Sequence, residues 1–389
     1  MQSEEIRRRF LTFFEKRGHK VIPSASLVPE NDPSVLFTTA GMQQFKAYYV
    51  GKANAKKDFN ALNLTSSQKC VRTSDIEEVG DESHLTFFEM LGNFSFGDYW
   101  KEEAIRYAYE LITKDFGLKI DYVSVFSGEG NVPEDIESAK IWKSINQDLI
   151  IKKFGRKDNF WGPTGAEGPC GPTTEIYVNG IEIWNIVFNE YYQSEDETLA
   201  PLKVKGVDTG MGLERLVKVI QKAQTVFDTD FFIQIMQIAN SRIIADHIRT
   251  SVFIISDGVT PSNTGRGYIL RRLLRHAYIH ANKFGGDLII LNDVIHAVIK
   301  HPSYKELYEF KSPEIFKIVQ EEIDKFKIAL ENGLKQLKKG VDPFVVSTSF
   351  GLPLEIIEEL VDVDKIKFQK QMEEHRQNSS VAGEQKFKK

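Results

Sequence analysis

The segment that most constrains the fold of this chain is residues 67–100, which read SQKCVRTSDIEEVGDESHLTFFEMLGNFSFGDYW. A β-prone run leads to Arg72, an acidic loop follows, and a second strand carries His84, Phe87 and Phe88. This order predicts a β-hairpin with a charged tip. An arginine on one strand can bind phosphate oxygens while a phenylalanine on the other stacks on a base, so the hairpin can hold a nucleotide from two sides. An ordinary solvated hairpin is the alternative that this segment alone leaves open.

Two further segments stand in a fixed order around the hairpin. Residues 18–51 read GHKVIPSASLVPENDPSVLFTTAGMQQFKAYYVG, and residues 207–216 read VDTGMGLERL. With Arg-x-x-Asp, a loop and His-x-x-Phe-Phe between them, they resemble the three motifs of class II aminoacyl-tRNA synthetases. The wording FFEMLGNFSFGDYW resembles the alanyl-tRNA synthetases in particular. The resemblance covers nearly the whole chain and weakens after about residue 340.

The resemblance implies an α+β fold in which an antiparallel sheet is flanked by helices and followed by a helical domain. We expect an adenylation domain at residues 1–228, a helical tRNA-recognition domain at residues 229–365, and a polar tail at residues 366–389. A chain of 389 residues that is 41% hydrophobic is long enough for two or three domains. No segment resembles the family's editing domain or its oligomerising C-terminal domain, so we expect a monomer without editing in this chain.

Composition restricts the cellular setting. Cys70 and Cys170 are the two cysteines, which gives no disulfide framework and favours the reducing cytoplasm, although two thiols can in principle pair. The N-terminus has no apolar signal-peptide core, and no run of about 20 apolar residues predicts a membrane span. The formal net charge of -5 means that any contact with RNA must come from local basic patches.

For ATP, the resemblance implies binding by Arg72, Asp75, His84, Phe88, Gly212 and Arg215. Arg72 would lie on the α-phosphate, and Arg215 would pack on the adenine opposite Phe88, so these two arginines are the predicted catalytic residues. Glycines before the helix that begins near residue 213 let the backbone approach the nucleotide. The triphosphate requires Mg²⁺. Glu175 is the predicted magnesium ligand, and Asp75 and Glu77 are alternatives.

The predicted amino-acid site depends on the strand at residues 181–189, IEIWNIVFN. Period-two alternation places Asn185 beside apolar neighbours on one face, where it is either satisfied locally or faces a pocket. The resemblance implies a pocket for L-alanine lined by Trp161, Asn185, Val187, Asp208 and Gly210. Asp208 would pair with the substrate ammonium. Without the resemblance, an aspartate before Thr-Gly is simply a turn residue.

A basic helix follows in the second half of the chain, and its apolar stripe predicts that the cations lie mostly on the exposed side. We predict that the acceptor stem of tRNA(Ala) is bound by Asn263, Arg266, Arg271, Arg272 and Arg275. A solvated basic face is the alternative. By resemblance Asn263 matches the asparagine that reads the G·U wobble pair. The aspartate of the family's Y-D-T-Y-G-x-P stretch is Thr348 here, which predicts a weaker demand for that pair.

Local patterns make further structural predictions. Ser3 and Asp98 are expected to cap helices, and residues 35–39 are expected to form a buried strand. The glycine- and proline-rich residues 162–172 are expected to lack regular structure.

Two functional alternatives to an alanine-activating enzyme remain. One is a non-catalytic RNA-binding relative, against which the retained Arg72, Phe88, Asp208 and Arg215 argue. The other is a class II enzyme for another small amino acid.

Overall fold

The structure is a computed structural model that describes residues 1–30, 32, 35–163, 165–283, 287–352, 354–358 and 361–374. In these ranges no helix has the length and apolarity to cross a lipid bilayer. The last fifteen residues of the predicted polar tail lie outside the described part of the chain. Residues 365–374 of this region are helical, and Phe368 is buried.

A nine-stranded sheet occupies the centre of the described chain. The strands are β1 (Lys20–Val21), β2 (Asn63–Val71), β3 (Phe87–Phe96), β4 (Tyr122–Phe126), β5 (Ile151–Phe154), β6 (Phe160–Trp161), β7 (Gly168–Val178), β8 (Ile181–Gln193) and β9 (Leu199–Gly212). Their order is β1-β2-β3-β9-β8-β7-β4-β5, and β6 pairs with β7 beside this path. The β1–β2 and β4–β5 pairs at the two ends are parallel, and the pairs between them are antiparallel. The predicted fold class is therefore confirmed.

Helices cover the sheet and form the second half of the chain. They are α1 (Ser3–Glu15), α2 (Lys46–Tyr49), α3 (Ala55–Phe59), α4 (Lys101–Glu110), α5 (Ile136–Ile145), α6 (Arg156–Asn159), α7 (Leu213–Gln221), α8 (Ile233–Ala239), α9 (Arg242–Ser256), α10 (Gly265–Lys283), α11 (Leu288–Ile299), α12 (Pro302–Lys305), α13 (Ser312–Lys338), α14 (Pro343–Phe350) and α15 (Leu354–Glu358). Short 3₁₀ helices lie at Gly41–Phe45, Thr73–Glu77 and Val226–Asp228, and a π-helical turn lies at Leu111–Asp115.

Strand β3 shows how the sheet separates two environments. Phe87 and Leu91 point into the large apolar core that includes α1, α7 and α9. Met90 and Phe94, which alternate with them, point to the opposite face and a smaller apolar cluster. At β3 the second face packs against the Gly41–Phe45 turn and its neighbours, and a cavity lies beside them over the middle of the sheet.

The large core runs without interruption from α1 through the sheet to α13. It therefore includes residues from both sides of the predicted domain boundary at residue 228. The change from sheet to helices falls between β9 and α8, and the boundary itself stays a prediction.

Two predicted helix caps are wrong, because each side chain bonds to a residue far away in the sequence instead of to the start of its helix. Ser3 is the first residue of α1, its amide donates to the carboxylate of Asp230 at 2.7 Å, and its hydroxyl meets that of Ser303 at 2.6 Å. The carboxylate of Asp98 does not cap α4 and instead accepts a hydrogen bond from Asn63 at 2.6 Å.

Two strand predictions are also corrected. The described part of residues 35–39 is irregular: the Thr38 amide donates to Leu27, and the Thr38 carbonyl accepts from Val71, but no ladder of consecutive pairs forms. Conversely, β7 begins at Gly168, inside the segment predicted to be irregular. Pro172 is tolerated because the register of β7 against β8 shifts between Cys170 and Thr173, as at a bulge.

Candidate nucleotide and amino-acid site

A cavity of about 390 Å³ lies over the middle of the sheet, on the face opposite the large core. This volume is in the range of small-molecule sites, about 300–1,000 Å³. Eleven predicted site residues line it: Arg72, Asp75, His84, Phe88, Trp161, Asn185, Val187, Asp208, Gly210, Gly212 and Arg215. The structure thus brings together predicted residues of the second and third motifs, and Gly41 of the first motif also lines the cavity. The individual roles of the predicted residues stay predictions.

Strand register explains why these side chains converge. Across β8 and β9, Asn185 lies opposite Gly210 and Val187 lies opposite Asp208. Met90 of β3 lies opposite Gly212, at the C-terminal end of β9. Because side chains alternate between the faces of a sheet, residues at these positions share the cavity face.

Arg72 and Phe88 form one wall of the cavity. Arg72 directly follows β2, and its amide donates to the carbonyl of Thr86 at 3.0 Å, which continues the hairpin ladder. Its guanidinium carbon lies 5.0 Å from the centroid of the Phe88 ring, a cation–π distance. The guanidinium Nε donates to Thr39 at 3.4 Å. Arg72 has no carboxylate partner among the described residues, so its charge is available to an anion.

The loop between β2 and β3 carries Asp75 and His84. Asp75 lies in the Thr73–Glu77 turn, where its carboxylate accepts from Ser74 at 2.7 Å. His84 precedes β3, so its predicted place on the strand is wrong. Its ring contacts the carboxylates of Asp81 at 2.5 Å and Glu78 at 3.1 Å.

Arg215 stands in the first turn of α7, as predicted. Its Nη1 donates to the carboxylate of Glu182 at 2.9 Å, and both side chains are about one third exposed. A partly exposed ion pair of this kind contributes only about 0–1 kcal/mol to stability, so a nucleotide can displace it.

Asp208 is strongly perturbed by its burial at the site. Its side chain is only 4% exposed, and among the described residues no cation or hydrogen-bond donor meets its carboxylate. Burial alone raises the pKa of this carboxyl from 3.8 to about 8. A buried carboxylate that faces a cavity without a partner is suited to a small cationic ligand.

Gly210 keeps the space beside Asp208 narrow but open. A Cβ at this position would lie 2.9 Å from the sulfur of Met90, and that sulfur also accepts from the amide of Gly41 at 3.2 Å. The Met90 sulfur is therefore held in place. Strand β9 can pass this close to it only because residue 210 is a glycine.

The predicted magnesium ligand Glu175 does not reach the cavity. Its carboxylate accepts from Tyr177 at 2.7 Å and from Asn185 at 3.4 Å, and burial raises its pKa to about 7. Glu175 thus orients Asn185 from behind, and the side-chain amide oxygen of Asn185 has no hydrogen-bond partner among the described residues. Of the two alternatives, Asp75 lines the cavity, and Glu77 pairs instead with Arg272.

The comparisons with known proteins agree with this geometry. The family model described as tRNA synthetases class II (A) matches residues 5–389. The chain belongs to the class II tRNA synthetase family. Within that family it is similar to proteins named alanine–tRNA ligase, so the resemblance inferred from the three motifs is confirmed.

Three of these relatives illustrate the similarity. The alanine–tRNA ligase of Rubrobacter xylanophilus is 38% identical over 98% of this chain and 50% of its own length. That of Borrelia hermsii is 39% identical over 100% of this chain and 74% of its own length. That of Thermotoga petrophila is 41% identical over 98% of this chain and 50% of its own length. The chain thus spans between half and three quarters of the length of these synthetases.

The basic helix of this synthetase chain, α10, is less exposed than predicted. Arg271 and Arg275 both pair with Glu322 of α13, at 3.1 and 2.8 Å, and are 21% and 16% exposed. Arg272 is 40% exposed and pairs with Glu77 of the hairpin loop.

Asn263 and Arg266 lie at the start of α10, where Asn263 is exposed and accepts from Arg271. Arg266 donates to the carbonyl of Leu36. The prediction that these residues contact tRNA remains, but the expectation that the cations lie mostly on the exposed side is wrong for Arg271 and Arg275. Thr348, the other predicted tRNA position, donates its hydroxyl to the carbonyl of Phe344 at 2.9 Å.

The cysteines are separate and buried. Cys70 and Cys170 are both free thiols, and burial raises the pKa of each. The pairing that the sequence left open does not occur.

Sequence reasoning missed several cavity residues, among them Gly41, Met90, Glu182 and Glu214. Met90 had a signal, because it follows Phe88 by two residues on the same strand and must share its face. Arg249 of α9, for which the sequence predicts no role, is fully buried. A single arginine among Ile248, Val252 and Phe253 on an apolar helix is the pattern of a paired internal charge.

Proposed function

We propose that this chain activates L-alanine with ATP, forming alanyl-adenylate and pyrophosphate, and then transfers alanine to the 3′ end of tRNA(Ala). The observation that carries the proposal is the unpartnered carboxylate of Asp208 in a cavity that also holds Arg72, Phe88 and Arg215. The names of the relatives support the same amino acid.

In the proposed reaction the alanine carboxylate attacks the α-phosphorus of ATP, and pyrophosphate leaves. No protein nucleophile is needed, so the task of the site is alignment and charge stabilisation. Asp208 binds the ammonium and fixes one end of the nucleophile. Arg72 neutralises the α-phosphate, and Phe88 and Arg215 hold the adenine between a ring and a guanidinium.

Magnesium would neutralise the β- and γ-phosphates when it is bound. Mg²⁺ takes few protein ligands besides phosphates and water, and these are carboxylates in most sites. Asp75 fits this requirement because it lines the cavity on the hairpin loop. Among the described residues, Ser74 is the one hydrogen-bond donor to its carboxylate.

For the second step, the start of α10 is the proposed contact with the acceptor stem. Arg266 and Arg272 keep partly exposed guanidinium groups, and Arg272 pairs with the loop of the ATP-binding hairpin. Its ion pair with Glu77 is exposed and therefore weak, so a phosphate can replace the carboxylate. We propose that tRNA binding at α10 affects the ATP-binding hairpin in this way, through the ion pair of Arg272 with Glu77.

Amino-acid-dependent exchange of pyrophosphate into ATP tests the activation step without tRNA. Exchange should be fastest with alanine and should be lost in Asp208→Ala. Serine and glycine should be activated as well, because one methylene or hydroxyl is worth only about 1–3 kcal/mol in such pockets. Undetectable exchange with serine and glycine would contradict the pocket argument. Absence of exchange with any amino acid would favour the RNA-binding alternative.

A further inference from the structure

A network of buried charges lies beneath the cavity, between the sheet and the helices. It consists of two arginines and two glutamates, each at most 4% exposed: Arg7 of α1, Glu89 of β3, Glu214 of α7 and Arg249 of α9. Arg7 pairs with Glu89, and Arg249 pairs with Glu214. The amide of Glu89 donates to the Glu214 carboxylate at 3.1 Å and links the two pairs. The charges balance, as a buried network requires.

Arg249 uses every nitrogen of its guanidinium inside this network. Its Nε donates to the hydroxyl of Tyr304 at 2.8 Å, its Nη1 donates to the carbonyl of Phe87 at 2.8 Å, and its Nη2 donates to Glu214. Three acceptors from three elements in one plane fix the guanidinium in position and orientation.

Two of these acceptors are next to residues of the cavity. Phe87 directly precedes Phe88, so Arg249 holds the backbone of β3 at the residue whose ring lines the site. Glu214 directly precedes Arg215 and itself lines the cavity. A single side chain from a helix of the second half of the chain therefore contacts the residues that directly precede Phe88 and Arg215, between which the adenine is proposed to lie.

Ring packing reinforces this connection. Phe253 stands one turn after Arg249 on α9, and its ring stacks on that of Phe87 with centroids 3.9 Å apart and planes 7° from parallel. Strand β3 is thus held against α9 by the hydrogen bond from the Arg249 side chain to the Phe87 carbonyl and by the stacked rings of Phe87 and Phe253.

We propose that Arg249 is a positioning residue for the ATP site, which sets the separation between Phe88 and Arg215 from the helical half of the chain. The inference rests on the proposed function, since it assigns the nucleotide to this cavity. It also implies that the helical half contributes to amino-acid activation in the absence of tRNA. Lysine cannot replace Arg249, because the three N–H groups of an ammonium radiate from one nitrogen and do not match acceptors that bind three separate nitrogens of a planar guanidinium.

The first test is the variant Arg249→Lys in the pyrophosphate exchange reaction without tRNA. The KM for ATP should rise by about tenfold, because the adenine walls lose their fixed spacing, while the KM for alanine should change by less than about twofold. Tyr304→Phe removes one orienting acceptor and keeps the charge pair, so it should raise the KM for ATP by a smaller factor. This second variant keeps the test available if Arg249→Lys does not fold.

The matched control is Arg7→Lys, which weakens the other buried arginine–glutamate pair and touches neither Phe87 nor Glu214. It should lower the melting temperature as Arg249→Lys does but leave the KM for ATP within about twofold of the parent protein. Equal increases in the KM for ATP in both variants would overturn the proposal, because the effect would then be general loosening. An unchanged KM for ATP in folded Arg249→Lys would overturn it as well.

Direct titration of ATP by calorimetry separates this proposal from the proposed function. Weaker ATP binding in Arg249→Lys than in Arg7→Lys supports the positioning role even if no amino acid stimulates exchange. Equal ATP affinities in the two variants overturn the role even if alanine is activated normally.

Discussion

Replacing Asp208 with asparagine should make the folded protein more stable while it removes alanine activation. The carboxyl is buried, and its pKa of about 8 in the folded protein lies far above the ordinary 3.8 of the unfolded chain. A carboxyl with a raised folded pKa binds its proton more tightly when folded. Its contribution to stability is therefore complete at low pH and is lost as the pH rises through about 8.

The magnitude follows from the same values. At pH 7 the unfolded chain has released the Asp208 proton and the folded chain retains most of it, and this pH lies about three units above the unfolded pKa of 3.8. At about 1.4 kcal/mol per unit, this lowers the free energy of unfolding by roughly 4 kcal/mol relative to a neutral side chain. Asparagine has a similar shape and stays neutral in both states, so Asp208→Asn should recover most of this free energy.

Urea unfolding between about pH 5 and about pH 8 measures the effect. The stability difference between Asp208→Asn and the parent should grow by about 1.4 kcal/mol per pH unit over this range. In pyrophosphate exchange, kcat/KM for alanine should fall by at least about 100-fold, because the substrate ammonium loses its buried partner. The control Asp148→Asn, at an exposed position, should change stability by less than about 0.5 kcal/mol at every pH. A less stable Asp208→Asn, or a difference that does not vary with pH, would refute the reasoning.

Three further predictions follow from the site. Because Asp208 must lose its proton to pair with an ammonium, the KM for alanine should fall by up to about tenfold per pH unit from pH 6 toward pH 8, and a flat profile would contradict this. Gly210→Ala should raise the KM for alanine by more than about tenfold, since the new methyl meets the Met90 sulfur. Met90→Ala in the same chain should reverse part of that loss. Arg266→Ala should raise the KM for tRNA several-fold in aminoacylation and leave pyrophosphate exchange unchanged; an equal effect on both would place Arg266 outside the tRNA contact.

The parts of the site that the sequence predicts are those governed by local periodicity. Alternation along β8 placed Asn185 and Val187 on one face, and the structure has them there. Residues 312–338 carry apolar residues at helical spacing behind a proline at the second position, and they form α13. In both cases the pattern of apolar residues determines which side is buried, whatever the rest of the chain does.

The parts that the sequence does not predict depend on partners far away in the chain. Nothing near Arg271 or Arg275 indicates that Glu322, on another helix, neutralises both. Glu175 looks as suitable for a cation as Asp75, and only the packing of β7 against β8 shows that it faces Asn185 instead. A charged side chain carries no local signal of whether its counter-charge is inside the protein or in a ligand.

The pairing of β3 with β9 has a consequence for the folding of the chain during protein synthesis. Met90 lies opposite Gly212, and no strand between them in the sequence covers that edge of β3. While the chain emerges from the ribosome, β3 therefore waits for more than a hundred further residues before its second neighbour exists, and pairings over such separations form slowly. During that interval the apolar strand has one open edge, which is a place for chaperones to bind and for nascent chains to associate wrongly.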